Sequence, residues 1–76
     1  MVINGFNEMT IAARYSLETF ADVYELSDMV VFDLLYPALN GYELTNEDIE
    51  RFAVKNNIPR NAVYNYTSLI LKQQIG

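Results

Sequence analysis

The one tight group of carboxylates in this sequence is Glu47, Asp48 and Glu50. Three such groups could hold a hard divalent cation through oxygen ligands if they converged. Residues one and two apart on a helix point away from each other, so these three diverge. Helix initiation accounts for them better than metal binding does. Other catalytic equipment is missing from the chain. There is no histidine to act as general base or metal ligand, and no cysteine to supply a thiolate. No glycine-rich phosphate loop is present either. The reading is therefore a protein that is not an enzyme, with no cofactor and no metal.

Charge is unevenly placed. The net charge is −5. Residues 1–44 carry one base, Arg14, against seven acids, whereas residues 45–76 carry four bases against three acids. Such asymmetry can mark different partners on different faces. With 51% of residues apolar, the composition argues for a folded core and against disorder. Seventy-six residues make one domain, at the small end of what folds alone, so a homodimer is a live expectation. The absence of cysteine fits a reducing compartment. Met1 to Thr10 lacks the basic and apolar regions of a signal peptide, and Met29–Phe32 and Leu69–Leu71 are too short to span a bilayer. A soluble, cytoplasmic protein that does not enter the membrane is expected.

The elements that would position any functional residue are helical. Asn7 is read as the first N-cap, with Phe6 and Ile11 as a hydrophobic staple. The helix should run to about Glu25, with Met9, Ala12, Ala13, Leu17, Phe20, Ala21 and Tyr24 at helical spacing. Ile11, Tyr15 and Val23 widen that stripe, which predicts cover on more than one side. Ser27 caps a second segment, Met29 to Tyr36, with Leu26 stapled to Val31. Its Val30-Val31-Phe32 core could equally be a buried strand, but nothing nearby offers a partner strand, so helix is preferred. Pro37 disfavours helical geometry at Tyr36, and Asn40-Gly41 signals a turn.

The third start is the best formed. Thr45 stands at the N-cap, Asp48 at N3, and Leu44 opposite Ile49 as a staple. Glu47 and Asp48 complement the positive end of the helix dipole. Ile49, Phe52, Ala53 and Asn56 share one face. Asn56-Asn57-Ile58-Pro59 ends this helix, and Pro59 suits the first turn of the next. The last helix should reach about Gln73, with Ala62, Val63, Tyr66, Leu69 and Ile70 inward. The run Leu69-Ile70-Leu71 cannot all face one core, so part of it is exposed unless a partner covers it. The sum is a single all-α domain, a small bundle of about four helices, with supporting helices over about 7–36 and a helical hairpin over about 45–73.

Residues 49–66 resemble the helix-turn-helix of bacterial and phage DNA-binding regulators. Two helices crossing through a three-residue turn need a small residue at their contact, and Ala53 stands there. The first turn residue must tolerate left-handed geometry; the family usually has glycine, and here it is Asn57. Ile58 follows as an apolar plug, and Val63 and Tyr66 seat the second helix on the first. Pro59-Arg60-Asn61-Ala62-Val63-Tyr64-Asn65-Tyr66 is similar to the family's stretch at most positions, with Pro59 replacing the usual serine.

The resemblance implies that the second helix enters the major groove of duplex DNA. Its outward face would present Arg60, Asn61, Tyr64, Asn65 and Ser68. Arg60 would suit guanine, Asn61 or Asn65 would suit adenine, and Arg51 and Lys55 would touch phosphates from the first helix. The plain alternative is a solvated helix face. DNA-binding domains are typically basic, and this chain has a pI near 4.3. Two functions therefore follow. One is a small transcription regulator that binds duplex DNA as a dimer, of a size that suits a phage, plasmid or accessory bacterial gene product. The other is an acidic protein-binding module (an inhibitor, anti-repressor or adaptor) that keeps the fold and docks a basic protein surface through Glu18, Asp22 and Glu25.

Overall fold

The structure is a computed structural model that describes Ile3 and residues 5–75. Among these residues the chain is all-helical: a short 3-10 turn at Phe6–Glu8, then α1 (Ile11–Val23), α2 (Asp28–Leu39), α3 (Asn46–Asn56) and α4 (Arg60–Ile75). The segment 28–36, open between helix and strand from the sequence with helix preferred, is helix.

One core joins all four helices. Leu17 and Phe20 of α1, Val31 and Leu35 of α2, and Val63 and Ile70 of α4 are fully buried. Ile49 and Phe52 of α3 and Ile58 of the following turn close it. Phe20 is the hub. Its ring stacks on Tyr66 of α4, meets Tyr24 edge-on, and lies tilted against Phe52 of α3. Aromatic contacts of this kind add directional preference to the area they bury, so they fix how the helices sit as well as holding them together.

Three helix starts carry side-chain caps. Ser27 accepts from the Met29 N–H at 3.3 Å. Thr45 forms a complete capping box: its hydroxyl accepts from the Asp48 N–H at 3.1 Å, and the Thr45 N–H donates to the Asp48 carboxylate at 3.3 Å. The first helix differs from expectation. Its N-cap is Thr10, whose hydroxyl accepts from the Ala13 N–H at 3.1 Å, and Asn7 lies in the preceding 3-10 turn. The reason is long-range. The Thr10 N–H donates to Gln74 Oε1 at 2.8 Å, and the Thr10 hydroxyl donates to the Gln73 carbonyl at 3.3 Å. The end of α4 thus selects where α1 begins. Arg14 serves the same corner, lying over the Phe6 ring with a guanidinium bond to Asn7 Oδ1.

Four further expectations are corrected. Helix α2 continues through Pro37 to Leu39 instead of ending at Tyr36. Leu35 and Leu39, one turn apart and both buried, hold the last turn helical against the proline's steric preference. Ala12 is exposed. So are Ile11, Tyr15 and Val23, at 79%, 71% and 56%, so α1 is covered on one side only within a single chain. Leu69 stays 43% exposed while Ile70 is buried and Leu71 half-buried. The inward position goes to Thr67, whose hydroxyl donates to the Val63 carbonyl at 2.7 Å and so loses nothing by burial.

Candidate nucleic-acid interface

The hairpin between α3 and α4 is set by a backbone device that is local in sequence. Asn57 has φ 54° and ψ 49°, the left-handed geometry that asparagine tolerates better than most residues. This turns the chain so that the Ile58 N–H donates to the Ala53 carbonyl at 2.9 Å and the Asn57 N–H to the Val54 carbonyl at 3.3 Å. Together these form a Schellman motif. Ile58 drops into the core, and Pro59 offers its carbonyl to the Ala62 and Val63 N–H groups, starting α4 at once. Ala53 is buried at the contact, where a larger side chain would hold the helices apart.

The seating of Val63, Thr67 and Ile70 in the core turns the opposite side of α4 to solvent. Arg60, Asn61, Tyr64, Asn65 and Ser68 are all exposed there, and Lys72 continues the row. No carboxylate interrupts it from within the helix. All ten acids of the chain lie at or before Glu50, so α4 carries Arg60 and Lys72 and no negative charge. Arg60 has no carboxylate within ion-pair distance among the described residues, although Glu50 shares with it a shallow 370 Å³ cleft beside the turn.

Arg51 and Lys55 are placed elsewhere. They lie on the flank of α3 that faces α2, lining a groove with Val30, Asp33, Leu34 and Pro37. Arg51 is engaged by carboxylates of its own helix, Asp48 at 3.2 Å and Glu47 at 3.7 Å. The Thr45 side chain first, then the Thr45 N–H, and then the charge of Arg51 hold the Asp48 carboxyl below its ordinary value of 3.8. The seven residues read from the sequence therefore divide, five on α4 and two in the α2–α3 groove. Sequence reasoning passed over the groove itself. Its signal was present in Val30, Leu34 and Pro37, which recur at one-turn spacing along α2.

Among the described residues no three carboxylates gather as a cation site, and no helix is long and apolar enough to cross a membrane. No protein-family model, curated protein or solved structure matches the chain.

Proposed function

We propose that this chain is a non-catalytic, cytoplasmic DNA-binding module of the helix-turn-helix kind, a small transcription regulator that lays the outward face of α4 in the major groove. One observation carries the reading: in a chain with ten acids, the exposed face of the hairpin's second helix is free of them and consists of Arg60, Asn61, Tyr64, Asn65 and Ser68. Arg60 has the fork geometry for guanine O6 and N7, and a carboxamide at 61 or 65 matches adenine N6 and N7. Such contacts give sequence selectivity without much charge. The other side of this arrangement is weak phosphate attraction. With two cations on the face, the logarithmic salt dependence has a slope of about −2 per chain, shallow for a DNA-binding protein.

The test is fluorescence anisotropy with labelled duplex DNA at low salt, followed by selection of preferred sites from a random library. Enrichment of a defined sequence, lost on Arg60→Ala and on Asn61→Ala, supports the reading. Failure to bind any duplex at low salt ends it.

A second reading has its own observation. Glu18 and Asp22 are exposed on α1, the helix that also exposes Ile11 and Tyr15. Apolar side chains beside carboxylates suit a basic protein surface, as an inhibitor or adaptor would require. Capture of one stoichiometric protein partner, abolished by Glu18→Lys with Asp22→Lys, would favour this reading over DNA.

A further inference from the structure

Helix α2 is apolar on nearly every side. Its only charged residues are Asp28 and Asp33. A helix of that kind is normally covered all round, yet α2 leaves Met29, Val30 and Tyr36 exposed by 40% or more. Between it and α3 runs a groove of about 490 Å³, with Val30, Leu34, Pro37 and Phe52 as its apolar lining. Asp33 stands on the α2 wall and Lys55 on the α3 wall, both exposed. Neither makes an ion pair among the described residues, with each other or with anything else.

We infer that this groove is the contact surface of a homodimer, with the two-fold axis running parallel to the groove. The charge pattern decides both the occupant and the axis. A two-fold parallel to the groove lays α2 of each protomer over α3 of its partner, because it exchanges the two walls. Asp33 then faces the partner's Lys55, and the same pair forms a second time by symmetry. A two-fold perpendicular to the groove would set Asp33 against the partner's Asp33 and is disfavoured. Asp33 is the unpaired charge of the α2 wall and Lys55 that of the α3 wall, where Asp48 and Arg51 pair with each other at 3.2 Å. The groove is therefore self-complementary to a second copy in the first orientation. Association also covers Val30, the exposed apolar side chain of α2 that lines the groove, in a chain small enough to gain from a partner. Arg51, already neutralised by Asp48 and Glu47, lines the groove without adding an unpaired charge. This inference does not rest on the DNA reading, since Asp33 and Lys55 lie off the outward face of α4.

Sedimentation equilibrium without DNA, at low salt and over a wide concentration range, tests it. A reversible monomer–dimer equilibrium is expected. Asp33→Lys and Lys55→Asp should each weaken association by about tenfold, since each variant turns two exposed attractions into repulsions. The double variant should restore it. Both positions are exposed, so each variant should keep its helical circular dichroism, which confirms that folding is intact. A monomer at every concentration overturns the inference. So does a dimer indifferent to both reversals, or a double variant no tighter than the singles.

Discussion

Phe20 and Tyr66 lie ring on ring, with centroids 4.7 Å apart and planes inclined by 11°. Phe20 is fully buried and Tyr66 half-buried, so the pair spans the core from α1 to the edge of α4. The stacking fixes which side of α4 faces inward. That choice in turn decides which side is left for Arg60, Asn61, Tyr64, Asn65 and Ser68. Removing the Tyr66 ring should therefore alter how that row is presented as well as stability. Tyr66→Ala is expected to cost about 2–3 kcal/mol in urea denaturation. Tyr66→Phe, which keeps the stack, should stay within about 0.5 kcal/mol of the parent.

Among the described residues, two non-glycine residues have left-handed backbone geometry, Glu25 (φ 55°) and Asn57 (φ 54°). Each ends a helix in the same way. After α1 the Leu26 N–H donates to the Ala21 carbonyl at 2.7 Å and the Glu25 N–H to Asp22 at 3.3 Å, the pattern seen again at Ile58 and Asn57. Glu25 lacks the local tolerance of asparagine, so it carries more strain. Glu25→Gly should stabilise the fold by about 1 kcal/mol, and Asn57→Gly by less. Equal or destabilising effects at position 25 would show that the unfolded chain's extra freedom outweighs the relieved strain.

The capping box makes helix α3 pH-sensitive in a defined direction. The Thr45 side chain and N–H, with Arg51 behind them, hold the Asp48 carboxyl below its ordinary value of 3.8. A group whose folded pKa is depressed stabilises the fold fully above its unfolded pKa and loses that contribution as pH falls through the folded value. The difference in stability between the parent and Asp48→Asn should be present at pH 7 and shrink towards zero below about pH 3.8. Thr45→Ala should cost about 1 kcal/mol at neutral pH.

Asn40 holds the early chain by its main-chain groups. The Ile3 N–H donates to Asn40 Oδ1 at 2.9 Å, and Asn40 Nδ2 donates to the carbonyls of Ile3 and Tyr36, both at 3.0 Å. The Ile3 side chain is buried beneath this clasp. Asn40→Ala should speed amide hydrogen exchange at Ile3 strongly while leaving α3 and α4 protected. Asn40→Asp, which can accept but not donate, should fall between. Unchanged exchange at Ile3 would mean that burial of its side chain alone anchors the segment.

Much of the fold was legible where the deciding contacts lie within one helical turn. The caps at Ser27 and Thr45, the box with Asp48, the turn at Asn57 and the plug at Ile58 all follow from residues two to five positions apart. The outward row from Arg60 to Ser68 was legible for the same reason, since helical periodicity alone sets its residues on one side. Sequence alone was enough for three helices, their main punctuation and an acid-free last helix, while 28–36 stayed open between helix and strand because its apolar run is too short for periodicity to choose.

Packing between helices settled whatever depended on partners distant along the chain. Thr10 became the first cap in place of Asn7 because Gln73 and Gln74 reach it from the far end. Pro37 stayed inside α2 because burial of Leu35 and Leu39 outweighs a local steric preference. Thr67 went in and Leu69 stayed out because the choice depends on how α4 is rolled against α1, which the Phe20–Tyr66 stack sets. The placing of Arg51 and Lys55 beside Asp33, away from Arg60, has the same origin. Local pattern specifies which residues share a side of a helix, but only packing between helices specifies what that side meets.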